Sequence, residues 1–222
     1  MAELKHPHVS VRKDGVASYG GNQRWLDQNY MKRSACGVIA CTDLLLYLHR
    51  YRPGCRMELF REDPGEGPVP EELYKYWVRQ VQKRYLPVIP NVGTIGVEVA
   101  VALNRCFKTN GVSLHARWGV GKERLWSSIA AMLENDIPVI LTVGANFPVP
   151  LKLHKLSFYR EGQTAPACST SAHFVTVTGM DGERLRISSW GREYYIDRQE
   201  FWDYARRYST FALSSIMWVW PG

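Results

Sequence analysis

The 222-residue chain contains no Cys-x-x-Cys pair, no run of five or six like charges and no stretch of about 18 uninterrupted apolar residues. The first absence argues against a structural zinc site, which draws its ligands from closely spaced thiols and imidazoles. The second, together with the lack of zinc-finger spacing or an RNP-like aromatic signature, removes the main reasons to expect a nucleic-acid partner. The third excludes a membrane-spanning helix. No glycine-rich cradle ending in Lys-Ser or Lys-Thr occurs, so no nucleotide loop is expected, and no other cofactor is indicated. The N-terminal MAELKHPHVSVRKDG is charged and has no apolar centre, so it does not read as a secretory signal, and a cytoplasmic location is the expectation. The five cysteines are odd in number and widely spaced, as reduced thiols in that compartment would be.

What is present is apolar and aromatic. Hydrophobic residues make up 45% of the chain, with eight Trp and twelve Tyr, enough to fill the core of one domain over residues 1–222. The net charge of +7 is dispersed. After an extended lead-in ending at Tyr19-Gly20-Gly21 comes a polar, amide-rich loop over residues 22–30, and then a helix over 34–49. Residues 52–69, rich in Pro, Gly and charge, read as loop. Further helices are predicted over 70–84, with a stripe of Leu73, Tyr76, Trp77 and Val81, over 95–107 with Thr94 as cap, and over 122–135. Strands are predicted over 112–118 and 137–143, a long loop over 144–171, and then strands at 173–179, 184–188 and 193–196. A short helix capped by Asp197 and a last strand over 209–220 complete the chain. Helices first and an antiparallel sheet second is an α+β arrangement.

The 34–49 segment, SACGVIACTDLLLYLH, has apolar residues at Val38, Ile39, Cys41, Leu44, Leu45, Leu46 and Leu48, interrupted by Asp43. It reads as a helix buried on most of its circumference. Ser34 suits the N-cap, Gly37 permits close backbone approach, and Cys36 falls in the first turn. There, free N–H groups and the helix dipole favour a thiolate, so a lowered thiol pKa is expected. Cys41, more than a turn further in on the apolar side, reads as core.

A nucleophilic thiol needs a base and an oxyanion donor. His173 is the best placed of six histidines, opening a strand after the small residues Ser169-Thr170-Ser171-Ala172. The following hairpin brings Ile187-Ser188-Ser189-Trp190-Gly191 beside that strand. Cys-Gly opening a helix, His on a later strand, then Ser-Trp-Gly at a turn: this order resembles the papain-like cysteine peptidases, whose pattern there is Asn-Ser-Trp-Gly. The segments ACGVIACTDLLLYL, ENDIPVILTV, HFVTVTGMDG and FWDYA are similar to the bacterial branch that cleaves double-glycine leader peptides.

The resemblance implies a papain-like α+β fold, with the nucleophile helix packed on a C-terminal antiparallel sheet. It also implies cleavage of a peptide or peptide-like substrate, or acyl transfer to an amine, by Cys36 with His173 as base. Gln23 and the Cys36 backbone N–H would hold the oxyanion; Gln28 is the alternative donor. Ser188 stands where the family has Asn or Asp, and an uncharged hydroxyl orients and stabilises an imidazolium less. A weakly active or inactive member that binds peptide without cutting it is therefore the competing expectation. The 144–171 loop reads as a lid or wall, its Lys152, Lys155 and Arg160 suiting acidic substrates or simply solubility, with Cys168 as a loop thiol.

Overall fold

The computed structural model describes residues 1–90, 93–148 and 153–222, so Lys152 lies outside the described residues. Its helices are α1 (Asn29–Ser34), α2 (Cys36–Tyr51), α3 (Glu71–Arg84), α4 (Gly96–Thr109), α5 (Leu125–Glu134) and α6 (Arg198–Arg207). Strands β1 (Ala2–Glu3), β2 (Val11–Lys13), β3 (Val16–Ala17) and β4 (Val69–Pro70) belong to the first third of the chain. The remainder are β5 (Leu114–Trp118), β6 (Val139–Val143), β7 (Leu156–Phe158), β8 (Cys168–Thr170), β9 (His173–Met180), β10 (Arg184–Ser189), β11 (Arg192–Asp197) and β12 (Met217–Pro221).

Strand β9, the alternating HFVTVTGM segment, is the axis of a mixed α and β architecture. On one side it pairs antiparallel with β6 along residues 173–177 and with β1 at 179–180. On the other it pairs with β10, and β10 with β11. Isolated bridges extend both edges: Leu141 to Ile216 leads to the β12–β5 ribbon, and Tyr159 to Tyr195 leads to the β7–β8 hairpin. A small separate sheet, β3–β2–β4, contains a parallel pair between β2 and β4.

Helix α2 packs against β9. Every residue from Gly37 to His49 is buried, as an apolar surface on all sides requires. Helix α3 presents Tyr74, Trp77, Val78 and Val81 to the core, one ordinary i, i+3, i+4, i+7 stripe, while Tyr76 is 47% exposed. Asp197 caps α6, its carboxylate accepting from Glu200 N–H at 2.8 Å. No described helix is long and apolar enough to cross a membrane.

Several expectations require correction. The polar stretch ending at Tyr30 runs into a short helix, α1, so Ser34 is its last residue rather than the cap of α2. Ala35 occupies the cap position of α2 and supplies no side-chain hydrogen bond. Ile95, not Thr94, precedes α4, with Glu98 reaching back to the Ile95 N–H at 2.9 Å. The 144–171 segment is not all loop: β7 and β8 form a hairpin within it. The final strand is limited to Met217–Pro221.

Candidate active site

Gly37 lets neighbouring elements close onto the first turn of α2. A methyl group there would lie 2.3 Å from Thr94 Oγ1 and 3.4 Å from the Phe174 ring. That close approach seats the start of β9 against the start of α2. Cys36 and His173 consequently line one cavity, together with Gln23, Asp43, Ser188, Ser189 and Trp190. The cavity measures about 20 Å³, room for about one water, so a larger ligand would lie across its mouth.

His173 is buried, and its ring is held on two sides. Nε2 and the Ser189 Oγ are hydrogen-bonded at 2.9 Å, which leaves Nδ1 for other partners. The Trp190 ring stacks on the imidazole, centroids 4.4 Å apart and planes within 18°. The stacking depends on a tight turn. Trp190 and Gly191 are the two residues between β10 and β11, with φ of +51° and +73°, the primed hairpin turn in which both central residues are left-handed. A bulky side chain at positive φ costs about 1–3 kcal/mol, as does the φ of +52° at Ala172, immediately before His173. Both strained residues adjoin the imidazole.

The hydrogen bond to the imidazole is thus made by Ser189, not by Ser188 as expected. Ser188 Oγ donates instead to the Tyr19 carbonyl at 2.8 Å. The cause is a bulge between β9 and β10. Arg186 pairs with Gly179 but Ile187 pairs with Val177, which leaves Thr178 as an extra residue on β9. Without it Ser188 would oppose Val177 and share the face of His173. With it Ser188 opposes Thr176, and Ser189 takes the His173 face.

Gln23 is buried on the cavity wall, its Nε2 donating to the Lys32 carbonyl at 2.9 Å. A primary amide has two N–H groups, so the second remains for a ligand oxygen. Gln28 precedes α1 and is exposed, and it does not line this cavity. The segment carrying Gln23 is stapled on several sides. Tyr19 N–H donates to the Gly191 carbonyl at 3.0 Å, and Gly21 N–H to Asp43 Oδ2 at 3.0 Å. Asn22 Nδ2 donates to the Trp190 carbonyl at 2.9 Å. Any β-carbon at Gly20 would fall 2.1 Å from Ser188 Oγ, and one at Gly21 would fall 1.9 Å from the Tyr74 hydroxyl.

Asp43 is the residue that sequence reasoning passed over. It is two helical turns after Cys36, hence on the same face, and 1% exposed. Besides the Gly21 N–H, it accepts from Tyr74 OH at 2.6 Å, and His8 Nε2 lies 3.7 Å away. A carboxylate interrupting the apolar run of a helix buried all round was the available signal, since a charge in that position must be satisfied.

The electrostatics differ from the sequence expectation. Burial pushes the Cys36 thiol up, outweighing backbone hydrogen bonds from Phe174, Gly37 and Cys36 itself. His173 is pushed down to about 3, by burial first and by the Arg24 guanidinium second. Both shifts favour the uncharged thiol and imidazole over a thiolate–imidazolium pair. Cys41 is buried, with its thiol pushed far above the ordinary value by burial, consistent with a core position. All five cysteines are free, and among the described residues no group of three or more His, Cys, Asp or Glu is placed to hold a metal ion.

Comparison with protein-family models, with curated proteins and with solved structures finds no match to this chain.

Proposed function

We propose that the chain is a thiol hydrolase of papain-like architecture, cleaving amide bonds in a peptide or peptide-like substrate. The observation that carries this reading is the shared cavity: Cys36 at the start of α2 and His173 at the start of β9 line it, with Gln23 and Ser189 on its wall. The antiparallel sheet with α2 packed on its central strand supports the architecture.

In this reading the substrate carbonyl lies across the cavity mouth. Ser189 accepts from the His173 Nε2–H and so holds the tautomer whose Nδ1 is an unprotonated base. The proton passes from Cys36 Sγ to Nδ1 as the sulfur attacks, because the pair is neutral beforehand. The Gln23 amide and the Cys36 backbone N–H receive the oxyanion. His173 then returns the proton to the leaving amine, and water, or a second amine in a transfer reaction, resolves the thioester.

The depressed basicity of His173, the raised thiol and a serine as orienting group favour one other reading, a peptide-binding module that does not cut. A peptide-like electrophile reactive toward thiols separates the two. For a hydrolase, Cys36 labels faster than a free thiol, and His173→Gln slows it by about 100-fold or more. Labelling at the free-thiol rate, unchanged in His173→Gln, refutes the enzyme.

A further inference from the structure

The wall behind Trp190 carries three cations without carboxylate partners. The guanidinium of Arg24 lies over the Trp190 ring, 5.9 Å from its centroid, on a ring that itself stacks against His173. Arg160 follows β7 and Arg192 opens β11, and the Tyr159–Tyr195 bridge joins these two segments. Burial pushes the Cys168 thiol up overall; the Tyr194 hydroxyl opposes this most, followed by Arg160, Arg24 and Arg192, which all lie within electrostatic reach of the sulfur. Among the described residues none of the three forms an ion pair, whereas Arg50 pairs with Asp63, Arg79 with Asp27 and Arg186 with Glu3.

Trp190 continues inward into a buried aromatic cluster. Phe158 sits 5.9 Å from Trp190 and 6.0 Å from Tyr194, and Cys168 pairs with Phe158 across the β7–β8 hairpin. Arg160 and Arg192 share a surface cleft of about 590 Å³ with Glu161 and Glu193, and Tyr195 OH donates to Glu193 at 2.8 Å. The cleft itself is balanced, two guanidinium groups against two carboxylates, and Arg24 over the Trp190 ring is the third cation. Arginine is the side chain whose planar fork matches a carboxylate, and an unpaired fork is suited to receive one.

We infer that Arg24, Arg160 and Arg192 form a carboxylate-binding subsite next to the Cys36–His173 cavity, so that the preferred substrate is an acidic peptide. This rests on the thiol-hydrolase reading for the word substrate, but the anion site is testable without it. A carboxylate on Arg24 also neutralises the cation that opposes protonation of His173, so the same contact that selects the substrate eases the proton transfer from Cys36.

Cys168 is a built-in reporter. Iodoacetate and iodoacetamide are nearly equal in size, so the ratio of their alkylation rates at one thiol removes accessibility and leaves charge. Mapped by mass on the full chain, the iodoacetate to iodoacetamide ratio at Cys168 is expected to exceed that of free glutathione by about tenfold. It should fall most of the way to the glutathione value in the triple variant Arg24→Gln, Arg160→Gln, Arg192→Gln, and fall with added salt. A ratio equal to that of glutathione, or one unchanged in the folded triple variant, overturns the subsite.

Two peptide-like electrophiles differing only as Glu against Gln then test its use at Cys36. The Glu probe should label about tenfold faster, a preference lost in Arg24→Gln. A third probe, with Gln and a free rather than amidated C-terminus, distinguishes a terminal carboxylate from a side-chain one, and preference for either supports the subsite. Equal rapid labelling by all three overturns it while sparing the hydrolase reading. Slow labelling of Cys36 by all three, with the Cys168 ratio still elevated, overturns the hydrolase reading and spares the anion site. Protection of Cys168 by an oligothymidylate but not by an acidic peptide overturns the inference in favour of a phosphate-backbone ligand.

Discussion

Acid titration of folding stability tests the neutral state of His173 directly. The buried imidazole is held down to about 3 against an ordinary value of 6.5. Between those values the unfolded chain binds a proton that the folded chain excludes. Stability therefore rises with pH through the window from about 3 to 6.5, and is lost as the solution is acidified. One pH unit well inside the window is worth about 1.4 kcal/mol, and moving from pH 6.5, where the unfolded imidazole is half protonated, to 4.5 removes about 2 kcal/mol through this one group. Against a total stability of about 5–15 kcal/mol that is a large share.

Other groups act in the same direction. His49 is held down by burial and then by Arg56, and Asp136 and Asp181 are held low by hydrogen bonds to their carboxylates, so each also loses stability in acid. A single curve cannot isolate His173, but the difference between the native chain and His173→Gln does. Urea unfolding at half-unit steps from pH 4.5 to 7.5 should give the variant a shallower fall, by about 1.4 kcal/mol per unit below pH 6. Equal slopes in the two proteins would mean that the folded imidazole takes up its proton freely, and the neutral thiol–imidazole pair would be refuted.

Four further outcomes follow from the geometry. Cys36→Ala, which trims a partly buried thiol, should abolish labelling by a peptide-like electrophile while shifting Tm by no more than about 2 °C; a much larger drop in a thermal scan would make Cys36 a core residue. Ser189→Ala removes the partner of a buried imidazole and should cost about 1–3 kcal/mol in urea unfolding and slow Cys36 labelling, whereas Ser188→Ala should leave the labelling rate within about twofold. Gly20→Ala forces a β-carbon against Ser188 and Asp43 at a φ of +76°, and a loss of about 3 kcal/mol or more is expected by the same assay. Tyr74→Phe deprives buried Asp43 of a 2.6 Å hydrogen bond and should cost about 1–3 kcal/mol, measurable as a lower urea midpoint.

Much of the secondary structure was legible from periodicity because burial imposes it. The apolar circumference of α2, the β-branched run of β9, buried on both faces, and the Asp197 cap of α6 are local patterns whose physical cause lies within a few residues. The same holds for the placement of Cys36 in a first turn and of His173 at a strand start, the two positions that meet at the cavity. The aromatic at the hairpin turn was also in view, although its stacking on the imidazole follows from a left-handed backbone that no sequence pattern specifies for a tryptophan.

What the tertiary structure decided is where one-residue differences or long-range burial control the outcome. Two adjacent serines are equivalent in a sequence pattern; the bulge at Thr178, a property of strand pairing, turns Ser189 rather than Ser188 toward His173. The expected thiolate rested on the free N–H groups of a helix start. The start of α2 is instead covered by β9 and by Thr94, and desolvation outweighs those backbone hydrogen bonds. Asp43 and Arg24 take their significance from partners far along the chain, Tyr74 for the one and Trp190 for the other. Periodicity reports which face of an element is buried, but only the packed fold fixes what each buried group finds there.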